Sequence, residues 1–86
     1  MSTITIKDAA EGAIKATVED IDLQSTTMDE LLSTLYESDT FQRPYPGVEI
    51  RAVDKEGRLV RDGEKTLADL GFEDGDTIPF VTLCFG

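Results

Sequence analysis

Between Thr27 and Tyr36 the chain carries its clearest helical period, and that segment constrains what the rest can be. Met28, Leu31, Leu32, Leu35 and Tyr36 recur at i, i+3, i+4, i+7 and i+8, which draws one apolar stripe down one side of a helix. Thr27 and Glu30 have the spacing of a capping box, in which each side chain satisfies a backbone amide that the first turn leaves free. Asp29 and Glu30 also place negative charge where the helix dipole favours it. Such a stripe either docks into a partner's groove or covers the chain's own sheet. A small sheet needs a cover, so the helix is read as core.

The remaining segments alternate with period two, the mark of half-buried strands. Ile4 and Ile6 share one face of a first strand; Ile14, Ala16 and Val18 do so in a second. Gly12 supplies the turn between them. The parity then changes at Ile21 and Leu23, which requires a bulge or a strand end near Glu19. Residues 38–47, SDTFQRPYPG, form a connector whose two prolines oppose helix. A third strand runs from Val48 to Val53, with Val48, Ile50 and Ala52 on one face and Glu49, Arg51 and Val53 on the other. Asp54 to Gly57 is a polar turn, and Leu59–Val60 is expected as a short fourth strand. Thr66 and Asp69 cap a single helical turn that inserts Leu67 and Leu70; Phe72 fills the core, and Asp74-Gly75-Asp76 turns into a last strand from Thr77 to Phe85. The expected architecture is α+β, a five-stranded mixed sheet on one α-helix, in a single domain spanning residues 1–86.

Composition narrows the function. Eight Lys and Arg against 18 Asp and Glu give a net charge of −10, which disfavours nucleic acid and anionic membrane as partners. With no His and one Cys, neither the usual general base nor a multi-Cys metal site is available, so no metal and no cofactor are expected. Cys84 has no His to activate it, and no phosphate loop or nucleophile–base pair appears, so the chain reads as no enzyme. The start lacks the basic and apolar regions of a signal peptide, and no window is long and apolar enough to span a membrane. A cytoplasmic protein is expected.

The element order and the run EGRLVRDGEKTLADLGFEDGDTI, Glu56 to Ile78, resemble the ubiquitin-like β-grasp family. Leu59, Asp62-Gly63, Thr66-Leu67, Asp69, Leu70 and Asp74-Gly75 match the family's places, as do Ile4, Ile6 and Lys7 in the first strand. The resemblance implies action by protein–protein contact. It also exposes departures. Ubiquitin's main docking patch centres on an isoleucine of the third strand, and the matching position here is Arg51. Conjugated members end in a basic tail closing with Gly-Gly, whereas this sequence ends VTLCFG, with a single Gly86. Two functions are therefore expected in order. The first is a protein modifier whose Gly86 carboxylate is activated by an E1-like enzyme. The alternative is a non-conjugated docking subunit of a larger complex, of the type VII secretion or multicomponent monooxygenase kind; a sulfur carrier ranks below both.

Candidate partner-binding residues follow from the pattern. If Ile78, Phe80 and Thr82 face the helix, Val81, Leu83 and Phe85 share the open face and form an interaction patch or a homodimer surface through the last strand. Pro79 deletes one ladder bond, predicting a local bulge or an unpaired partner carbonyl. Phe41 and Tyr45, flanking Arg43, either present anchors on a stiff loop or fold back to cap the helix end. Charge is uneven: residues 1–40 carry two cations and nine anions, residues 41–86 six and nine. Such a dipole orients an approaching partner.

Overall fold

The computed structural model describes residues 1–85. Four strands, β1 (Ser2–Asp8), β2 (Ile14–Ile21), β3 (Val48–Ala52) and β4 (Thr77–Cys84), form one sheet in the order β2-β1-β4-β3, with α1 (Met28–Glu37) between β2 and β3 in sequence. β1 and β4 run parallel at the centre; the outer pairs are antiparallel. A parallel central pair needs a long connection, and here it runs through β2, α1 and β3, with α1 carrying the chain from one edge of the sheet to the other.

The helix begins as its sequence predicts. The Thr27 hydroxyl accepts from the Glu30 amide at 3.2 Å, and the Thr27 amide donates to Glu30 Oε1 at 3.1 Å. Two further first-turn amides are satisfied from a distant loop: Met28 N donates to Lys65 O at 3.1 Å and Asp29 N to Gly63 O at 3.0 Å. The stripe is buried as expected, with Met28, Leu31 and Leu35 packed in the same core as Ile4, Ile6, Leu67, Ile78 and Phe80. Leu32 is half-buried at its border. Among the described residues no helix is long and apolar enough to cross a membrane.

The expected fifth strand is not formed. Leu59 makes a single bridge to Val53, and Val60 N donates to Ala52 O at 2.8 Å. The chain then turns at Asp62, whose carboxylate accepts from Glu64 N at 3.0 Å. Pairing stops because residues 63–65 must leave the sheet at once to reach the helix start. The next segment behaves as predicted: Thr66 Oγ1 accepts from Asp69 N at 3.1 Å, and the turn buries Leu67.

The parity change in β2 is a bulge. Ile4 pairs with Val18 but Ser2 pairs with Ile21, so β2 carries an extra residue there, and Asp20 takes a positive φ of 56°. That slip turns Ile21 inward. A second irregularity lies between Ile6, opposite Ala16, and Lys7, opposite Ile14. It moves Ile14 off the inward face, and its side chain is 59% exposed.

Candidate docking surface

Opposite residues in an antiparallel pair point to the same face. Ala52 and Phe80 are buried partners beneath the helix, so Arg51 with Val81 and Glu49 with Leu83 point to the sheet's other side. Phe85 continues the row, its amide donating to Gly47 O at 2.6 Å. The structure thus brings Arg51, Val81, Leu83 and Phe85 onto one face that α1 leaves uncovered. Val81 and Leu83 are half-buried by their neighbours; Phe85 is 58% exposed. β4 is interior to the sheet along Thr77–Phe80, so a dimer through that stretch has only this face to use.

Pro79 produces no bulge. The β3–β4 register runs unbroken from Val48 opposite Cys84 to Ala52 opposite Phe80. Its missing N–H falls where β3 ends: Val53 N still donates to Pro79 O at 2.9 Å, and among the described residues the Val53 carbonyl has no backbone partner. The cost of the proline is confined to a strand terminus.

Arg51 is held within its own chain. Its Nε lies 3.1 Å from Glu49 Oε2, and its Nη1 donates to Arg61 O at 3.4 Å and Val60 O at 3.5 Å. Its carboxylate partner is Glu49, two residues away on the same strand face. The guanidinium thus reaches over the β3 edge toward residues 60 and 61 and does not project freely from the apolar row.

Phe41 and Tyr45 separate. Phe41 N donates to Leu35 O at 3.3 Å, and its ring packs on Phe80 with centroids 5.5 Å apart and planes at 51°. It closes the core where α1 ends. Tyr45 is 71% exposed on the proline-bounded loop. Between them, a groove of about 490 Å³ is lined by Phe41, Arg43, Tyr45, Val48, Ile50 and Thr82. Thr82 keeps the inward parity but is exposed, because nothing of the helix reaches over it. Arg43 lies 5.6 Å from the Tyr36 ring centre. Burial raises the Tyr36 hydroxyl pKa, and the Arg43 charge opposes that rise.

The other end of the sheet is fixed by charge. Lys55 Nζ reaches Asp76 Oδ2 at 2.6 Å and Glu73 Oε1 at 3.0 Å. Asp76 also accepts from Glu73 N at 2.7 Å. Lys55 first, then that amide, hold the Asp76 carboxyl below its ordinary value of 3.8, and Asp76 with Glu73 raises Lys55. Asp22 is lowered as well, first by the backbone amide of Gln24. These carboxylates serve turns. Among the described residues no three His, Cys, Asp or Glu side chains are grouped to hold a metal ion. Gly86, the expected conjugation site, lies outside the described residues.

Glu49 was missed as a member of this surface, and Ile14 as an exposed residue on the opposite edge strand, β2. Glu49 was legible, since opposite charges two apart on one strand face are neighbours; Ile14 was not, because only the register shift turns it outward.

No family model matches the chain, and no curated protein matches it. Among solved structures it resembles the EccD5 ubiquitin-like domain from Mycobacterium xenopi, with a TM-score of 0.53 and 18% identity, over 99% of this chain and 97% of that one. The chain therefore has the ubiquitin-like fold, with a mixed sheet of four strands packed on one helix.

Proposed function

We propose that this protein is a non-conjugated docking unit that works by protein–protein contact through the open face of its sheet. The observation that carries the reading is the row Val81, Leu83 and Phe85 on an uncovered face of a chain with net charge −10. Apolar side chains grouped on the surface of so acidic a protein mark an interaction site. Arg51, neutralised by Glu49, replaces the apolar centre that ubiquitin receptors bury, so the partner is of a different kind. Of the two assemblies considered, a type VII secretion complex and a multicomponent monooxygenase, the likeness to the EccD5 domain favours the first.

The test is co-purification from the native host at natural expression. Wild type, a Leu83→Asp variant and a chain extended after Gly86 are compared, with ATP-dependent adducts assayed alongside. A stoichiometric partner kept by the wild type and the extended chain, and lost with Leu83→Asp, supports docking. An ATP-dependent adenylate or thioester that the extension abolishes would instead establish activation at Gly86.

A further inference from the structure

Three stretches of unpaired edge stand out among the described residues, and they are not alike. Along β2, alternate residues Lys15, Thr17 and Glu19 turn their backbone groups outward, since Ala16 and Val18 bond β1. That edge carries charges of both signs and is bent at both ends by register shifts, the usual protections against strand addition. Along β3, the Val48 amide bonds Tyr45 O at 2.9 Å, Ala52 O accepts from Val60 N at 2.8 Å, and Arg51 reaches across to residues 60 and 61. Among the described residues, Ile50 keeps both its backbone groups free there, and Val48 O and Ala52 N one each, but the two ends of that edge are already engaged.

The third stretch is the upper part of β4. Its Val81, Leu83 and Phe85 backbone groups face β3, so those of Thr82 and Cys84 face the side where β1 lies lower down. β1 ends too early to meet them. The last rung is Ala9 N to Phe80 O at 3.0 Å, and the chain then enters the Asp8–Ala13 turn. Among the described residues, the N–H and C=O of Thr82 and of Cys84 have no partner. This edge has no charged side chain, no proline and no bulge between Phe80 and Phe85, and Val81, Leu83 and Phe85 flank it.

We propose that this notch is where a partner adds a strand: an extended segment of a second protein, pairing with Thr82 and Cys84, with alternate aliphatic side chains beside Leu83 and Phe85 and Lys or Arg at its flanks. Main-chain bonds to an open edge give affinity and the alternate side chains give selectivity. The flanking charge follows from the net −10 of the chain; around the notch itself Asp8 and Glu11 on the adjoining turn are met by Lys15 and Arg43 in the same groove, so the whole-chain charge sets the preference. The same net charge sets two copies of this chain against each other. The proposal rests on the docking reading and supplies its mode.

The probe is the capped peptide acetyl-Lys-Val-Thr-Val-Thr-Val-Lys-amide, followed by amide NMR of the ¹⁵N-labelled protein. At about 1 mM peptide, the Thr82 and Cys84 amides should shift and exchange about ten-fold more slowly with solvent. The same peptide N-methylated on alternate residues, or with Glu replacing both Lys, should lose that effect. Thr82→Pro removes a donor that β3 does not use and should abolish binding, while Thr82→Val should retain it. Absence of protection, protection at Thr17 and Glu19 instead, or equal binding by the methylated peptide would overturn the proposal. So would protection of Thr82 that grows with protein concentration alone, which assigns the edge to a second copy. In the co-purification test, a partner lost with Leu83→Asp but kept with Thr82→Pro overturns strand addition alone. A partner indifferent to both overturns the docking reading itself.

Discussion

Arg51 stands directly opposite Val81 across the β3–β4 pair, and its guanidinium is bonded to Glu49 on one side and to the Arg61 carbonyl on the other. The ion pair is partly exposed, so its contribution is small. Arg51→Ala and Glu49→Ala should each lower unfolding stability by about 1 kcal/mol or less, with a coupling below about 1 kcal/mol in the double mutant. Urea titration of the four proteins measures it. A much larger loss would mean that Arg51 belongs to the fold, and its place on the docking face would lose its functional meaning.

Phe41 and Tyr45 sit four residues apart and should respond differently. Phe41→Ala removes a ring packed on Phe80 at the end of the core, and a half-buried aromatic of this kind is worth about 2 kcal/mol. Tyr45→Ala removes an exposed side chain and should change stability by less than about 0.5 kcal/mol. Chemical denaturation separates them; equal effects would contradict the packing described.

A Cβ at Gly63 would overlap the Asp29 carboxylate, which fills the space beside that glycine. The same two residues share the bond from Asp29 N to Gly63 O at 3.0 Å. Gly63→Ala should therefore push Asp29 aside and cost about 1–2 kcal/mol. Asp29→Ala in the same chain should recover part of it, because the clash is with a side chain. Additive losses in the double mutant, read from thermal or urea unfolding, would rule this account out.

The Lys55–Asp76 pair gives a pH dependence whose sign is fixed. Asp76 is held below its ordinary 3.8 in the folded protein, so its contribution is present above that value and fades as acid protonates the folded carboxyl. Stability of the wild type should fall as pH drops below about 4, and Asp76→Asn should flatten that fall. Lys55 is exposed and Asp76 only part-buried, so the difference will be modest and will shrink in high salt. An unchanged acid profile in the variant would show that other carboxylates carry it.

Local chemistry explains why much of this fold was legible beforehand. Thr27, Glu30 and the apolar stripe specify α1 through bonds and spacings within a few residues, and the structure reproduces them. Ile21 and Leu23 announced the bulge because burial cannot tolerate a parity error. Leu59 was misread because its fate is decided by Gly63 and Lys65, which must reach the helix start. Ile14 was misread for a similar reason: its face depends on how β2 is registered against β1. The free edge at Thr82 was hidden too, since it follows from where β1 stops, a fact about a different strand.

The central claim of the proposal is that the Val81–Leu83–Phe85 face docks a protein and that this docking does not depend on Gly86. The most direct measurement places a photocrosslinking residue at position 83 or, as a control, at 64, in cells expressing the chain with an extension after Gly86. The account predicts one heterologous adduct from position 83, none from 64, and no effect of the extension. Equal crosslinking from both positions, or an adduct that vanishes when Gly86 is extended, would contradict it.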